Sequence, residues 1–84
     1  MTAAEKIEAA GWDDVIIFES PGYDDALVGV TDEGRAVYDF DKMVAWLVEK
    51  EGIKPLEAVE WIECNTIRAL PYAGPLGPLI MYSL

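Results

Sequence analysis

Carboxylates are the only side chains in this sequence whose number and spacing suit chemistry. Sixteen Asp and Glu residues stand against six Lys and Arg, there is no His, and the formal net charge is −10. Acids close together in the chain are Asp13, Asp14, Glu19, Asp24, Asp25, Asp32, Glu33, Asp39 and Asp41. Such groups can act as an acid–base pair, bind a divalent cation or attract a basic surface. The sequence supports these three uses unequally.

Catalysis is the least favoured of the three uses. Nucleophiles are usually activated by His, which is absent. Paired carboxylates of glycosidases lie in a deep cleft, and 84 residues are too few to build one easily. The single thiol, Cys64, follows Glu63, whose charge disfavours a thiolate, and we expect a buried or half-buried structural Cys. No glycine-rich phosphate loop is present either. The sequence therefore predicts a protein that is not an enzyme and has no cofactor.

A metal site is an open alternative. Oxygen ligands for Ca²⁺ or Mg²⁺ could come from Asp24 with Asp25, or from Asp39 with Asp41. However, no EF-hand pattern is present, and adjacent Asp residues in a strand point to opposite faces. One Cys cannot build a zinc site. A carboxylate metal-binding domain is therefore a third interpretation, and the sequence assigns no metal ligand to it.

A row of glutamates along one predicted helix favours an interaction surface. Glu57, Glu60 and Glu63 repeat every three residues, and residues three apart are neighbours on a helix. Like charges at this spacing cost about 0.2–0.5 kcal/mol per pair, which solubility alone does not require. A compact domain with this charge could imitate a phosphate backbone and occupy a basic DNA- or RNA-binding surface. The expected partner-binding residues are Glu57, Glu60, Glu63, Glu49, Glu51, Asp13, Asp14, Asp24, Asp25, Asp32 and Glu33.

Charge also limits the partners and the location. A basic protein surface is favoured, whereas nucleic acid and anionic membranes are repelled, because the basic residues are few and scattered. No run approaches the roughly 18 apolar residues of a membrane span, and the N-terminus does not resemble a signal peptide. A single Cys excludes an internal disulfide, so we expect a soluble, cytoplasmic protein. The competing interpretation is a regulatory or structural domain whose acidity serves only solubility, with turn and cap roles for Asp32 and Asp41.

Residues 1–84 suffice for one domain, because a second core needs roughly 50 residues of its own. We expect an α+β fold in the order α-β-β-β-α-α-β, with an antiparallel sheet of about four strands and helices on one face. The expected helices are Thr2–Ala10, a segment from Asp39 or Asp41 to Glu51, and Pro55 to about Arg68. The expected strands are Trp12–Glu19, buried on both faces, the hairpin Ala26–Thr31 with Arg35–Asp39, and Leu79–Tyr82.

Several side chains receive structural roles in this scheme. The last helix should bury Leu56, Val59, Ile62 and Thr66, and Trp46 and Trp61 should pack in the interior. Arg68 should pair with a carboxylate such as Asp39, beside Asn65 and beneath Tyr72. The first helix has Ile7 as its only large apolar residue, which predicts the least securely docked element.

Three segments carry a resemblance to known proteins. They are Tyr23–Thr31, Gly34–Asp39 and Asn65–Tyr72. They resemble short acidic proteins of unassigned function from bacteria and their phages or mobile elements. In size and charge the chain is also similar to small acidic proteins that block CRISPR complexes, restriction enzymes or other DNA-binding defences. The resemblance carried by the three segments implies no activity, whereas the similarity in size and charge implies an inhibitor of such a complex, and neither implies a role for a particular residue.

Overall fold

The structure, a computed structural model, describes all 84 residues, Met1–Leu84. Its regular elements, in chain order, are α1 (Ala3–Ala9), β1 (Leu27–Val30), β2 (Ala36–Asp39), α2 (Phe40–Glu51), α3 (Pro55–Trp61) and β3 (Leu79–Met81). Shorter helical segments are the 3₁₀ turns Asp24–Ala26 and Leu70–Ala73 and a π-helical continuation of α3 over Ile62–Ile67. The α+β class is confirmed, and the order of helices and strands is α-β-β-α-α-β.

The sheet has three strands in the order β1-β2-β3 and is mixed. β1 runs antiparallel to β2, with Leu27 opposite Tyr38, and β2 runs parallel to β3, with Asp39 opposite Met81. The prediction of an antiparallel sheet of about four strands was therefore wrong. The chain passes from β2 to β3 through α2 and α3, and such a helical crossover is what joins parallel strands.

The missing strand is the segment Trp12–Glu19. Residues 13–19 make no backbone–backbone hydrogen bond, although the amide of Phe18 donates to the Tyr38 hydroxyl at 3.2 Å. Val15, Ile17 and Phe18 pack against the core, whereas Ile16 is 40% exposed. Val15 and Ile17 thus pack against the core although the segment pairs with no other strand. Strand propensity reflects packing against a surface more than a backbone preference, so a β-branched run need not form a strand.

The predicted hairpin is confirmed, with strands slightly shorter than expected. Its turn is closed by a hydrogen bond from the Thr31 amide to the Arg35 carbonyl at 2.8 Å. The Thr31 hydroxyl also accepts a hydrogen bond from the Arg35 amide at 3.1 Å. Gly34 has φ of +87°, a conformation that glycine adopts without strain.

The predicted ends of α1 and α2 are confirmed. Thr2 and Glu5 form a reciprocal capping box on α1, and Asp39 caps α2 by accepting a hydrogen bond from the Lys42 amide. Gly52, with φ of +66°, ends α2 in the left-handed conformation. α2 buries Phe40, Met43 and Leu47.

α1 is docked on the domain. Ala3 and Ile7 are buried, and the Ala3 amide donates to Asp24 Oδ1 at 2.8 Å. Lys6 Nζ donates to the backbone carbonyls of Asp24, at 2.6 Å, and of Leu27, at 3.2 Å. These polar contacts supplement an apolar face that contains a single large side chain.

α3 turns most of the predicted face inward, because Ile62 and Thr66 are buried and Val59 packs partly buried against the core. Its inner side consists of Ala58, Ile62 and Thr66, all buried, whereas Leu56 is 70% exposed. The predicted burial of Leu56 was wrong. Ala58, Ile62 and Thr66 are each four residues apart. The π-helical segment has i to i+5 hydrogen bonds and therefore wider turns, which suit this spacing.

The core contains an aromatic group around Tyr23. The Phe18 and Tyr38 ring centroids are 4.7 Å apart, and those of Tyr23 and Trp46 are 5.7 Å apart. The Tyr23 hydroxyl and Thr66 Oγ1 share a buried hydrogen bond of 2.6 Å. Every buried side-chain nitrogen and oxygen has a hydrogen-bond partner.

Candidate acidic interface

The stripe (Glu57, Glu60 and Glu63) lies on the outer side of α3 and its continuation. All three side chains are exposed. Glu60 is two residues from both Ala58 and Ile62, which at 3.6 residues per turn places it opposite the inner side of the helix. Glu57 also accepts a hydrogen bond from the Lys54 amide at 3.4 Å, which fixes the start of the helix. The sequence predicted this exposure correctly.

Two of the basic side chains are used within the fold. Lys6 is directed at two backbone carbonyls, and Arg35 Nε donates to the Gly77 carbonyl at 3.0 Å. No side-chain hydrogen bond joins a Lys or Arg to a carboxylate. The stripe therefore has no cation bonded directly to it.

Two open cavities meet at Trp61 and Pro21, and we call them together the Trp61 groove. One, of about 300 Å³, is also lined by Leu47, Glu51 and Ile53. The other, of about 280 Å³, runs past Phe18, Glu19, Ser20, Tyr23, Asn65, Thr66 and Ala69. Trp61 itself is 40% exposed. The groove thus combines an accessible indole with an acidic residue in each of its two cavities.

A second set of acids lies around Trp12. A Cβ on Gly34 would lie 3.9 Å from Trp12 Cζ3, so the β1–β2 turn is beside this ring. The acids that neighbour Trp12 and Gly34 in the chain, which we call the turn group, are all exposed: Asp13, Asp14, Asp32 and Glu33. Asp13 and Asp14 also line an open cavity of about 350 Å³ with Glu8 and Trp12. Seven of the eleven predicted partner-binding residues therefore fall into two groups on different elements.

The remaining predicted partner residues have different surroundings. Glu49 and Asp25 are exposed, and Glu51 is exposed at the rim of the Trp61 groove. Asp24 is partly buried, and its carboxylate accepts the hydrogen bond from α1. A structural contact thus already occupies one carboxylate oxygen of Asp24.

Asp39 is engaged in the fold on both oxygens. Oδ1 accepts a hydrogen bond from the Lys42 amide at 3.1 Å, and Oδ2 accepts one from Ser83 Oγ at 2.9 Å. The Lys42 amide, followed by the Ser83 hydroxyl, lowers the pKa of Asp39. Arg68 is exposed and Tyr72 is 91% exposed, so the predicted buried junction was wrong.

Residues for metal or covalent chemistry are not grouped. No cluster of three or more Cys, Asp or Glu side chains could hold a metal ion. Cys64 is exposed, so its predicted burial was wrong. The sequence also missed the exposure of Trp61, which no local pattern indicates, because Trp61 lies only three residues from the buried Ala58.

No protein family matches this chain, and neither a curated protein nor a solved structure matches it. None of its helices has the length and apolar character needed to cross a membrane. The arrangement offers exposed carboxylates, two accessible indoles and open apolar cavities, which together suit recognition of a cationic surface.

Proposed function

We propose that this chain is a non-enzymatic protein that occupies the basic surface of a nucleic-acid-binding protein and thereby inhibits it. The observation that carries the proposal is the stripe: three exposed carboxylates on one helix side, with no directly bonded cation. The net charge of −10 adds a long-range attraction for a basic partner.

The charge spacing of the stripe resembles that of a nucleic-acid strand. A residue rises about 1.5 Å along an α-helix, so Glu57 and Glu60, both on α3, lie about 4.5 Å apart along its axis. A DNA strand carries one phosphate charge about every 3.4 Å along its axis. The two charge spacings are of the same order, which supports binding of neighbouring carboxylates by a groove that binds neighbouring phosphates.

Competition with DNA tests this proposal. The chain is immobilised, incubated with extract of cells that express it, washed, and eluted with a double-stranded oligonucleotide or with a neutral polymer. We expect the oligonucleotide to release a nucleic-acid-binding protein, whose DNA complex the free chain then dissociates in a mobility-shift assay. Binding should weaken steeply with added salt, because electrostatically steered association is screened.

Two charge-reversal variants separate a specific surface from general acidity. The stripe variant is Glu60→Lys and Glu63→Lys, and the matched control, at exposed acids outside the predicted interface, is Glu8→Lys and Asp41→Lys. Both change the net charge by the same amount on exposed sites. We expect inhibition to be lost in the stripe variant and retained in the control. Equal loss in both would favour acidity that acts only through net charge, and full inhibition by the stripe variant would refute the stripe as the contact.

A further inference from the structure

We propose that the Trp61 groove binds an arginine side chain of the partner, stacked on the Trp61 indole. This inference rests on the proposed function and names one specific contact within it. The stripe supplies charge along a helix, whereas the groove supplies a shaped site for a single side chain.

The apolar part of the groove fits the stem of a long side chain. Leu47, which is 2% exposed, lies at the buried side of the cavity, and Ile53, Pro21 and Trp61 complete its wall. A volume of about 300 Å³ accommodates an extended side chain and leaves the opening in contact with solvent. Long basic side chains commonly bury their methylene groups while the charged end stays near water.

The acidic part of the groove fits a cation at the end of that stem. Glu51 lines one cavity and Glu19 lines the other. Glu57 is four residues before Trp61 on α3, which makes the two side chains neighbours on the helix surface. A cation stacked on Trp61 would therefore have carboxylates near the edge of the ring.

Arginine suits this combination better than lysine. Its planar guanidinium stacks on an aromatic face and donates in a fork to a carboxylate, whereas the lysine ammonium is a compact, strongly hydrated charge. Arginine is also a usual residue of surfaces that bind phosphates, which connects the groove to the proposed partner.

Other occupants are less favourable on charge grounds. A second copy of this chain would bring another net charge of −10 to an acidic rim, and a nucleic acid would be repelled in the same way. A wholly apolar segment would cover Glu19 and Glu51 without compensating their charge, which is costly. A cationic side chain with an apolar stem satisfies both parts of the groove.

Two synthetic peptides test the inference on the full chain. They are capped octapeptides of alternating glycine with arginine or with lysine, identical in length and charge. Binding is followed by the indole N–H resonances of the ¹⁵N-labelled chain, with Trp61 assigned through Trp61→Phe. We expect the arginine peptide to shift the Trp61 indole resonance and to bind more tightly than the lysine peptide. Trp61→Ala should raise the Kd of the arginine peptide by about 2- to 30-fold, the range of a cation–π contact.

Two control variants test whether the contact is specific to Trp61 and the acidic rim of the groove. Tyr72→Ala, at an exposed ring that lines neither cavity of the groove, should leave the Kd unchanged within about 2-fold, and Glu51→Gln should weaken binding without touching the Trp61 ring. Equal affinity for both peptides, with Trp61→Ala unchanged, would overturn the arginine site. That result would leave the proposed function supported if the stripe variant lost inhibition. Full inhibition by the stripe variant would instead contradict the stripe as the contact, whatever the peptides show.

Discussion

Tyr23 lies at the centre of the core with a left-handed backbone, φ of +48°, and no exposed surface. A bulky residue in this conformation costs of order 1–3 kcal/mol, which the surrounding contacts must offset. Its ring meets Phe18 edge-on, with centroids 5.6 Å apart, and its hydroxyl meets Thr66 across 43 residues of chain. Burial raises the pKa of Tyr23, because the charged phenolate is disfavoured in the interior.

The buried hydroxyl pair gives a testable coupling. Tyr23→Phe or Thr66→Val leaves one hydroxyl without its partner, so we expect each to lower the free energy of unfolding by about 1–3 kcal/mol. The double variant should cost less than the sum, since it leaves no orphaned group. Urea denaturation measures all three, with the exposed Tyr72→Phe as a control within about 0.5 kcal/mol. Strict additivity would contradict the pairing.

Asp39 predicts a dependence of stability on acid pH. Its pKa is lowered in the folded state, so its stabilisation is full above the ordinary unfolded carboxyl pKa and is lost as pH falls through the folded value. Below about pH 5 the contribution of Asp39 is lost, so the change in the free energy of unfolding on acidification should be more favourable in Asp39→Asn than in the wild-type chain. Urea denaturation at a series of pH values from about 3 to about 6 measures this slope. Asp41→Asn, an exposed neighbour, should keep the wild-type slope, and an unchanged slope in Asp39→Asn would refute the role of Asp39.

At the scale of elements, the orientation of α3 decides which side chains are available to a partner. Leu56 is outside and Ile62 is fully buried. We therefore expect Leu56→Ser to change the free energy of unfolding by no more than about 0.5 kcal/mol, and Ile62→Ala to lower it by about 2–5 kcal/mol. Chemical denaturation of the two variants measures the difference. A large loss in Leu56→Ser would mean that Leu56 packs inward, as the sequence predicted.

Local signals in the sequence were sufficient for elements that are stabilised locally. Asp39 and Gly52 mark the ends of α2, and Gly34 marks the hairpin turn, because caps and turns depend on a few adjacent residues. The direction of β3 and the lack of pairing in Trp12–Glu19 depend on residues far apart in the chain. Alternating or continuous apolar runs predict burial, but they do not identify the partner strand.

The candidate site likewise combines features that adjacent residues predict with features that depend on residues far apart in the chain. Exposure of Glu57, Glu60 and Glu63 followed from their type and their helical spacing. Their relation to Trp61, Pro21 and the acids of the groove could not be predicted, because Pro21 and α3 are distant in sequence and meet only through tertiary packing. The proximity of Trp12 to the β1–β2 turn at Gly34 is likewise encoded by no local pattern.

At the scale of the whole molecule, the charge acts over the full width of the domain. The principal extents are 35 × 27 × 26 Å. The screening length is about 30 Å at 0.01 M salt and about 8 Å at 0.15 M, so at low salt the acids repel one another across the protein. This repulsion opposes folding and disappears as salt is added.

Thermal unfolding in increasing NaCl should detect this repulsion. We expect the Tm to rise between about 0.01 and 0.15 M salt, by about 4–8 °C for each kcal/mol of repulsion removed. The variant Glu57→Gln, Glu60→Gln and Glu63→Gln should start from a higher Tm and gain less from salt. A Tm that is constant or falls with salt would show that the charges are too well solvated to destabilise the fold.

The distance along the chain between β2 and β3 limits the order in which the elements can fold. The central strand receives its second neighbour only from residues about forty positions further along, and Ser83 binds Asp39 from the same distant segment. During synthesis the hairpin and α2 can form early, while the second edge of β2 stays unpaired until Leu79–Met81 has left the ribosome. Closing so long a loop is slow relative to local pairing. Until then the growing polypeptide exposes an unpaired sheet edge, and its abundant negative charge would keep neighbouring nascent copies apart.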